Sequence, residues 1–423
     1  MLRFLTAGES HGPALTAILE GMPAGLPLSP HDLAQDLARR QTAYGAGGRM
    51  KIESDQARIL SGVMAGQTTG APIALLIENK DYAKWRERDI DPMTTPRPGH
   101  ADLTGAVKYG YRDLRLSLER ASARETAARV AVGAVCKTLL AQFGVRIGSY
   151  VTMIGGVEAD RDRLEALTYA RRFELAESND LRCPDLAIVE AMRARVWECM
   201  QARDTVGGVF EVVALGLPPG LGSHVHFDRR LSGRLIGALA SIHAIKGVEL
   251  GRAFENAAKY GTEVHDEIFV EEEETERREM RERTEAGTEE NEGSGIGRLI
   301  RRTNRAGGLE GGITTGEPLV LRAAMKPIST TLNPLRSVDL ATGQPDRTTY
   351  ERSDFNAVPR AGVVGEAMVA YVLADALLEK LGGDSLAEMR PRFAALRQAR
   401  LEDLPMDNEP WRFGFDQGES GTD

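Results

Sequence analysis

Two short runs each place a histidine in a turn, beside residues that can tune its proton affinity. The run RPGHAD at 97–102 sets His100 between an arginine and an aspartate, and GESHG at 8–12 sets His11 beside Ser10. Proline and glycine dictate the backbone geometry of such loops, and an imidazole gains or loses a proton near neutral pH. Each histidine alone is equally compatible with a turn cap, but both together, with the arginines described next, favour an acid–base site.

The run RASARET at 120–126 carries groups that bind anions. It is predicted to begin a helix, whose free N–H groups and positive dipole end would lie beside two arginines and the Ser122 hydroxyl. A phosphate would fit that combination. An ordinary capping box with surface arginines is the alternative, since capping boxes are common.

Two more runs combine cations with glycines or hydroxyl groups. The glycine-rich run NRAGGLEGGITTG at 304–316 would let backbone amides approach a ligand, and it leads to KPISTT at 326–331. The run ERSDFNAVPR at 351–360 holds Asp354 between two arginines, which keep its carboxylate ionised and placed for proton transfer. A plain connector and a surface salt-bridge cluster are the corresponding alternatives.

The remaining histidines give weaker indications. His224 and His226 alternate in a strand-like run and would face the same way, as metal ligands do, but no third ligand is suitably spaced. They are interpreted as structural polar residues, and no metal site is predicted. His243 follows an apolar helix and is either a core residue or part of a ligand wall. His31 and His265 are interpreted as a helix-surface residue and a loop residue.

Composition excludes several classes of protein. The chain has 423 residues, 42% hydrophobic, and its net charge of −9 disfavours a general nucleic-acid binder. Three cysteines with no metal-like spacing favour a reducing compartment. The sequence has no run of about 18 apolar residues and no secretory signal at its start, so we expect a cytoplasmic protein without a membrane span.

Three helices and three strands are predicted from periodicity. A helix over 29–41 begins at Ser29, and one over 122–143 begins with a capping box of Ser122 and Glu125. The second helix and another over 363–381 are apolar nearly all round, so both should be buried. Strands over 148–153, 210–215 and 319–324 would cover them. The charged run 271–293 cannot bury a core face and is predicted to be an exposed insertion.

Together, the runs resemble the chorismate synthase family. GESHG, RPGHAD, RASARETAARVAVGA, NRAGGLEGGITTG, MKPIST and RSD…AVPRA occur in the order typical of that family. The resemblance implies an α+β fold, a β-α-β sandwich with helices packed between two antiparallel sheets. It implies one catalytic domain over 1–385 with a charged insertion at about 271–298, a polar C-terminal extension over 386–423, and a homotetramer.

The resemblance also implies a lyase of the shikimate pathway of aromatic amino-acid biosynthesis. Such enzymes convert 5-enolpyruvylshikimate 3-phosphate to chorismate and phosphate by an anti-1,4-elimination that requires reduced FMN. His11 would protonate the leaving phosphate, with Ser10 beside it, and His100 would give a proton to reduced flavin. Asp354 would assist proton removal at the flavin N5.

Binding roles carry over in the same way. Flavin contacts are expected from Arg120, Ala121, Ser122, His243, Ala244, Gly311, Lys326, Pro327, Ile328, Ser329, Thr330 and Arg352. Substrate or NADPH contacts are expected from Arg39, Arg40, Arg49 and Arg124. The family usually has arginine where this chain has Ala46, which places NADPH use in question, and it often has cysteine where Asn356 stands. Whether an intrinsic NADPH activity or a separate flavin reductase supplies reduced FMN stays open.

Two other functions compete with this hypothesis. A flavin- or phosphate-binding protein without catalysis would need only the arginines and backbone amides, so the presence of His11, His100 and Asp354 disfavours it. A metal-dependent hydrolase using His224 and His226 would require a bound metal.

Overall fold

The computed structural model describes residues 1–47, 54–271, 297–349 and 354–410. The chain divides into two compact units, one formed by Met1–Asp266 with Thr303–Leu396 and the other by Glu267–Arg302 with Arg397–Asp423. Most of the predicted charged insertion lies outside the described residues. The predicted single domain over 1–385 stays a prediction.

The described residues form helices and antiparallel strands. The helices are α1 (Pro30–Gln41), α2 (Asp102–Tyr109), α3 (Arg115–Arg120), α4 (Thr126–Ala141), α5 (Arg161–Glu165), α6 (Tyr169–Glu177), α7 (Val189–Gln201), α8 (Leu231–Ala240), α9 (Ala253–Asn256), α10 (Gly261–Val264), α11 (Val358–Leu381) and α12 (Leu386–Ala394). The strands are β1 (Arg3–Ala7), β2 (Ala14–Glu20), β3 (Ala57–Ile59), β4 (Val63–Met64), β5 (Gln67–Thr68), β6 (Ile73–Glu78), β7 (Arg146–Ile154), β8 (Val157–Glu158), β9 (Gly208–Leu215), β10 (Ile245–Leu250), β11 (Ile268–Val270), β12 (Leu299–Arg301), β13 (Leu309–Glu310), β14 (Ile313–Thr314), β15 (Leu319–Met325), β16 (Arg336–Val338) and β17 (Pro345–Arg347).

Two larger sheets organise the first unit. The first sheet has the strand order β1-β2-β6-β3, and the second has the order β10-β15-β9-β7-β8. Every pairing within them is antiparallel. Strand β2 alternates, with Leu15, Ala17 and Leu19 buried on one face, as expected for a sheet that covers a core on one side.

Helices α4 and α11 form the centre of the core. They pack against each other; α4 also contacts β2 and β6 of the first sheet, and α11 contacts β7 and β9 of the second. Both helices are buried nearly all round, which the sequence predicted. The architecture is α+β.

Helix α11 is long and apolar enough to cross a membrane by length and composition, and 89% of its most apolar window is buried inside the protein. The core helix of a soluble protein has the same properties.

The predicted helix starts are partly confirmed. Helix α1 begins after Ser29, whose backbone N–H donates to Asp32 at 2.7 Å. At the start of α4 the predicted capping box is wrong: a 3₁₀ turn over Ala123–Glu125 precedes the helix, and Ser122 accepts from the Arg124 N–H. The Glu125 carboxylate instead accepts from Thr6 and from the Arg129 guanidinium, so it is not available to cap.

Other predicted elements change at their ends. The three strands are confirmed as parts of β7, β9 and β15, and α11 begins at Val358 rather than at 363, because Pro359 suits a first helical turn. His224 and His226 lie in a bend before a 3₁₀ turn, Phe227–Arg229, and not in a strand.

A buried ion cluster joins α1, α4, β7 and α11. The Glu366 carboxylate, fully buried, accepts from Arg39 at 2.7 and 2.8 Å, from Lys137 at 2.5 Å and from Ser149 at 2.6 Å. Arg182 donates to it at 3.2 Å. Burial alone would raise the pKa of Glu366, but Arg39 and Lys137 hold that pKa well below its usual range. The cluster therefore stays ionised and ties the central helices together.

Replacing Gly133 by alanine should destabilise the protein. A Cβ at Gly133 would lie 2.2 Å from the Cβ of Ala367, so α4 and α11 would have to separate. We expect a loss of about 1–3 kcal/mol in the free energy of unfolding, as for other overpacked cores. Gly237→Ala is the matched control, because a Cβ there meets no atom within 4 Å and should stabilise its helix by about 0.4–1 kcal/mol. Thermal unfolding measures both variants, and equal shifts would contradict the packing argument.

Replacing Glu366 by glutamine should make stability less sensitive to acid. The folded pKa of Glu366 lies below its unfolded value of about 4.3, so its stabilising effect is complete above that pH and is lost as pH falls toward the folded pKa. At neutral pH we expect the variant to lose about 3–5 kcal/mol, because the cations remain buried without their carboxylate. Thermal unfolding at neutral and acid pH should show the difference from the unaltered protein shrinking in acid. A constant difference would contradict the assignment.

Candidate active site

One cavity of about 540 Å³ opens between the loops that follow the first sheet and the start of α11. Segments from distant parts of the chain line it. Its polar and charged lining residues are Ser10, His11, Arg40, Asp81, Arg88, Arg97, His100, Ser122, Arg124, His243, Lys326, Ser329, Thr330, Asp354 and Arg360. Cations outnumber carboxylates in this set, so an anionic ligand would be attracted.

His11 is held in the turn between β1 and β2 by a glutamate of α3. Its Nδ1 lies 2.7 Å from Oε1 of Glu119, and its backbone N–H donates to Oε2 at 2.7 Å. The Trp85 ring covers the imidazole, with ring centroids 4.4 Å apart. Burial opposes ionisation of Glu119, but the hydrogen bonds from His11 lower the pKa of that carboxyl. An imidazole next to an ionised carboxylate is arranged as a proton donor.

His100 has a similar environment. Its Nδ1 lies 2.6 Å from Oδ1 of the fully buried Asp102. Arg97 donates to the same carboxylate through Nε at 2.7 Å and Nη2 at 3.0 Å, and to the Thr330 hydroxyl at 3.0 Å. Burial alone would raise the pKa of Asp102, but the hydrogen bonds from His100 and Arg97 hold it well below its usual range.

Asp354 also lines the cavity. Its Oδ1 accepts from the Gly47 backbone N–H at 2.7 Å, and its Oδ2 forms an ion pair with Arg360. Arg360 also donates to the Arg40 carbonyl at 2.8 Å. These contacts hold the Asp354 carboxylate between the loop that follows α1 and the first turn of α11.

Asp55 joins two arginines of the cavity. Arg40 contacts its Oδ2 at 3.1 Å, and Arg124 forms an ion pair with its Oδ1. The Asp55 side chain is fully buried. Burial and the nearby Arg360 cation lower the pKa of Arg40 to about 9. One carboxylate therefore holds two cations close together in a nearly dry environment.

Eight of the expected flavin residues line the cavity. They are Ala121, Ser122, His243, Ala244, Lys326, Ile328, Ser329 and Thr330. The Ser122 hydroxyl donates to Ser10 at 3.1 Å. Burial lowers the pKa of His243 to about 4, so its imidazole is neutral, and its buried Nδ1 has no hydrogen-bond partner among the described residues.

Several predicted site residues lie elsewhere or outside the described chain. Arg39 belongs to the Glu366 cluster instead of the cavity wall. Arg120 donates to the Thr6 and Gly8 carbonyls, and Gly311 forms the turn between β13 and β14 with φ +58°. None of these three, nor Pro327, lines the cavity. The predicted contacts at Arg49 and Arg352 fall on residues outside the described ranges.

Glu119, Asp55, Trp85 and Arg88 were not predicted from the sequence. Glu119 contacts His11 across 108 residues and Asp55 contacts Arg124 across 69, so no local spacing could reveal these two contacts. The adjacent run RASARET drew attention to the end of α3, where an acidic residue beside the motif was the available signal.

The metal-site alternative receives no support from the described residues. No group of three or more His, Cys, Asp or Glu side chains in them could hold a metal ion. His226 contacts Asp228 at 2.7 Å, and both side chains are more than half exposed.

Comparisons with known proteins indicate a single family. The sequence profile described as chorismate synthase matches residues 2–378. The chain is 52% identical over 409 residues to the chorismate synthase of Aquifex aeolicus, covering 93% of this chain and 96% of that protein. It is 52% identical over 403 residues to that of Geobacter sulfurreducens, covering 93% and 98%.

A solved structure is also similar. It is described as a crystal structure of chorismate synthase, is 45% identical, and matches with a TM-score of 0.71 over 93% of this chain and 96% of that one. The length, identity and fold of these matches agree with the motifs that line the cavity, and the chain therefore belongs to the chorismate synthase family.

Proposed function

We propose that this cavity eliminates phosphate from 5-enolpyruvylshikimate 3-phosphate to give chorismate, as a carbon–oxygen lyase of aromatic amino-acid biosynthesis. The proposal rests on the pair His11 and His100 inside one cationic cavity, each with Nδ1 on a carboxylate, partly buried for Glu119 and fully buried for Asp102. A binding protein without catalysis would have no use for two such pairs.

The cations account for substrate binding. The substrate carries two carboxylates and a phosphate, and guanidinium groups bind both kinds of anion with paired hydrogen bonds. Arg40 and Arg124 are held together by Asp55, and Arg360 lies beside them. We assign the substrate to these three arginines, and the clustering of positive charge favours its entry.

The wall around His243 fits reduced FMN. The buried Nδ1 of His243 lacks a partner among the described residues, and a ligand with polar ring edges would supply one. Ser122, Ser329 and Thr330 offer hydroxyls, and Lys326 offers a cation for a phosphate or an anionic ring. When bound, reduced FMN supplies an electron-rich ring that assists the elimination without net oxidation.

Three residues handle protons in this scheme. His11 gives a proton to the oxygen of the leaving phosphate, and Ser10 lies next to it. His100 holds a proton for the flavin, fixed by Asp102 and Arg97. Asp354, which contacts Arg360 and the Gly47 N–H, is placed in the cavity to accept a proton.

The wider organisation is proposed on the family relationship. Helix α4 contacts β2 and β6 of the first sheet as well as β7 of the second, and α11 contacts β7 and β9 of the second, which supports a β-α-β sandwich with the helices between the sheets. We propose a single catalytic domain over 1–385, a homotetramer and a cytoplasmic location. Reduced flavin would come from outside the protein, by a separate reductase.

Removing either histidine should abolish most of the activity. We expect His11→Ala and His100→Ala each to lose about 100- to 10,000-fold in rate, the usual effect of losing one acid or base. Asp354→Ala should lose activity on the same scale. Substrate binding should persist, because the arginines remain. The measurement is an anaerobic assay with chemically reduced FMN and the enolpyruvyl substrate, following chorismate absorbance.

His224→Ala and His226→Ala are the controls. Both histidines lie outside the cavity, so these variants should keep most of their activity. Inactive controls beside active His11 and His100 variants would move the catalytic site to the bend at 224–226.

Turnover driven by NADPH should be weak in this protein. Ala46 lies beside Gly47, whose N–H contacts Asp354, and its methyl group supplies no cation for a nicotinamide phosphate. We expect Ala46→Arg to raise NADPH-driven chorismate formation while leaving the rate with chemically reduced FMN nearly unchanged. Fast turnover by the unaltered protein with NADPH and catalytic FMN alone, without a reductase, would contradict this prediction.

A further inference from the structure

The contact between Glu119 and His11 is more elaborate than a single ion pair. One carboxylate oxygen binds the ring Nδ1 and the other binds the backbone N–H of the same residue, both at 2.7 Å. The Ser10 N–H donates to the Glu119 carbonyl at 3.1 Å. Three hydrogen bonds therefore join α3 to the turn that carries His11. The side chains of Glu119 and His11 are only 14% and 17% exposed, so water competes weakly for these hydrogen bonds.

We propose that Glu119 is the positioning residue that makes His11 an acid through its Nε2 atom. A carboxylate at Nδ1 accepts the proton on that nitrogen, so the neutral ring keeps its lone pair on Nε2 and the charged ring carries its exchangeable proton there. The inference rests on the proposed function, in which His11 serves the leaving phosphate. Glu119 does not line the cavity and acts through the imidazole.

The leaving phosphate takes up the proton of the charged His11 ring. The carbon–oxygen bond of the phosphate ester breaks, and its electron pair leaves with the phosphate oxygen. The C–H bond at the other end of the eliminating system breaks as well, its electrons form the new double bond, and its hydrogen leaves as a proton toward Asp354. The proton on Nε2 of the charged His11 ring moves to the phosphate oxygen, and the ring becomes neutral with its remaining proton on Nδ1. The Glu119 carboxylate stays ionised throughout, since it stabilises the charged ring before the transfer and orients the neutral ring after it.

The surroundings of His11 support a fixed ring rather than a mobile one. Trp85 covers one face of the imidazole at a centroid distance of 4.4 Å, which opposes rotation about the side-chain bonds. Arg115 of the same helix as Glu119 helps to lower the pKa of that carboxyl. The other histidine of the cavity has an equivalent contact, because Asp102 holds Nδ1 of His100 at 2.6 Å. A carboxylate that contacts the Nδ1 atom of a histidine thus occurs twice in this cavity, on different segments of the chain.

Glu119→Gln tests the proposal, because it keeps the shape of the side chain and removes the charge. We expect kcat to fall by about 10- to 100-fold, the usual effect of losing a partner that orients a functional imidazole, with KM for the substrate nearly unchanged. In the background of His11→Ala, the same substitution should cause no further loss, since Glu119 acts through the missing ring. A purely structural role would lower kcat in both backgrounds.

Nitrogen-15 spectra of histidine-labelled protein provide a second readout. His11 is assigned by comparison with His11→Ala, and its shifts report which ring nitrogen carries the proton. We expect Nδ1–H in the neutral ring of the unaltered protein and a changed proton distribution in Glu119→Gln. Should that variant be insoluble, Glu119→Asp replaces it, because the shorter side chain keeps the charge but cannot maintain both contacts, and the same non-additivity with His11→Ala is expected.

Glu211→Gln is the matched control. It removes a partly buried carboxylate that accepts from the Tyr150 hydroxyl, away from the cavity lining, and its kcat should match that of the unaltered protein. An unchanged kcat in Glu119→Gln, or equal losses with and without His11, would overturn the assignment while leaving the proposed function intact. A protein that forms no chorismate with reduced FMN would instead refute the proposed function.

Discussion

Cations that repel one another are concentrated in this cavity, and buried carboxylates make that concentration stable. Charges removed from water interact strongly, and an unpaired one is costly. Asp55 pairs with both Arg40 and Arg124, and Asp102 pairs with Arg97 beside His100. Because these carboxylates are inside the protein, the orientation of the cations is fixed before a ligand arrives. An anionic substrate then meets donors that need little reorganisation.

Close helix packing and a second group of buried ion pairs explain how the core supports the cavity. Helices α4 and α11 approach so closely that Gly133 faces Ala367 without room for a Cβ, and the Glu366 cluster pins α1 to both of them. Helix α1 leads into Arg40, and the first turn of α11 carries Arg360. Loops that contribute His11 and His100 are thereby attached to a scaffold with few ways to move, which a site needs when reacting groups must be held in place.

Features that depend on residues close together in the sequence could be predicted from it. Helices α1, α4 and α11 and the central strands were visible in caps and periodicity, and both histidines were visible in their turns. The start of α4 was predicted wrongly, because the Glu125 carboxylate accepts a hydrogen bond from Thr6 of β1. Glu119 was missed for the same reason, since its partner His11 lies 108 residues away, and so was the contact of Asp55 with Arg124, 69 residues away. Contacts between distant segments decide the site, and a single sequence does not display them.

Arg39 and Arg40 show this limit most clearly. The two are adjacent in one run and were assigned together to the substrate. Successive residues of a helix point about 100° apart, so the two side chains leave α1 in different directions, and Arg40 alone of the two lines the cavity. Arg39 turns toward Glu366, a carboxylate buried in the core that must have a counter-charge, and Arg40 turns toward Asp55 at the cavity wall. The glutamate in the middle of α11 therefore decides which arginine remains for the ligand, although 327 residues separate it from Arg39.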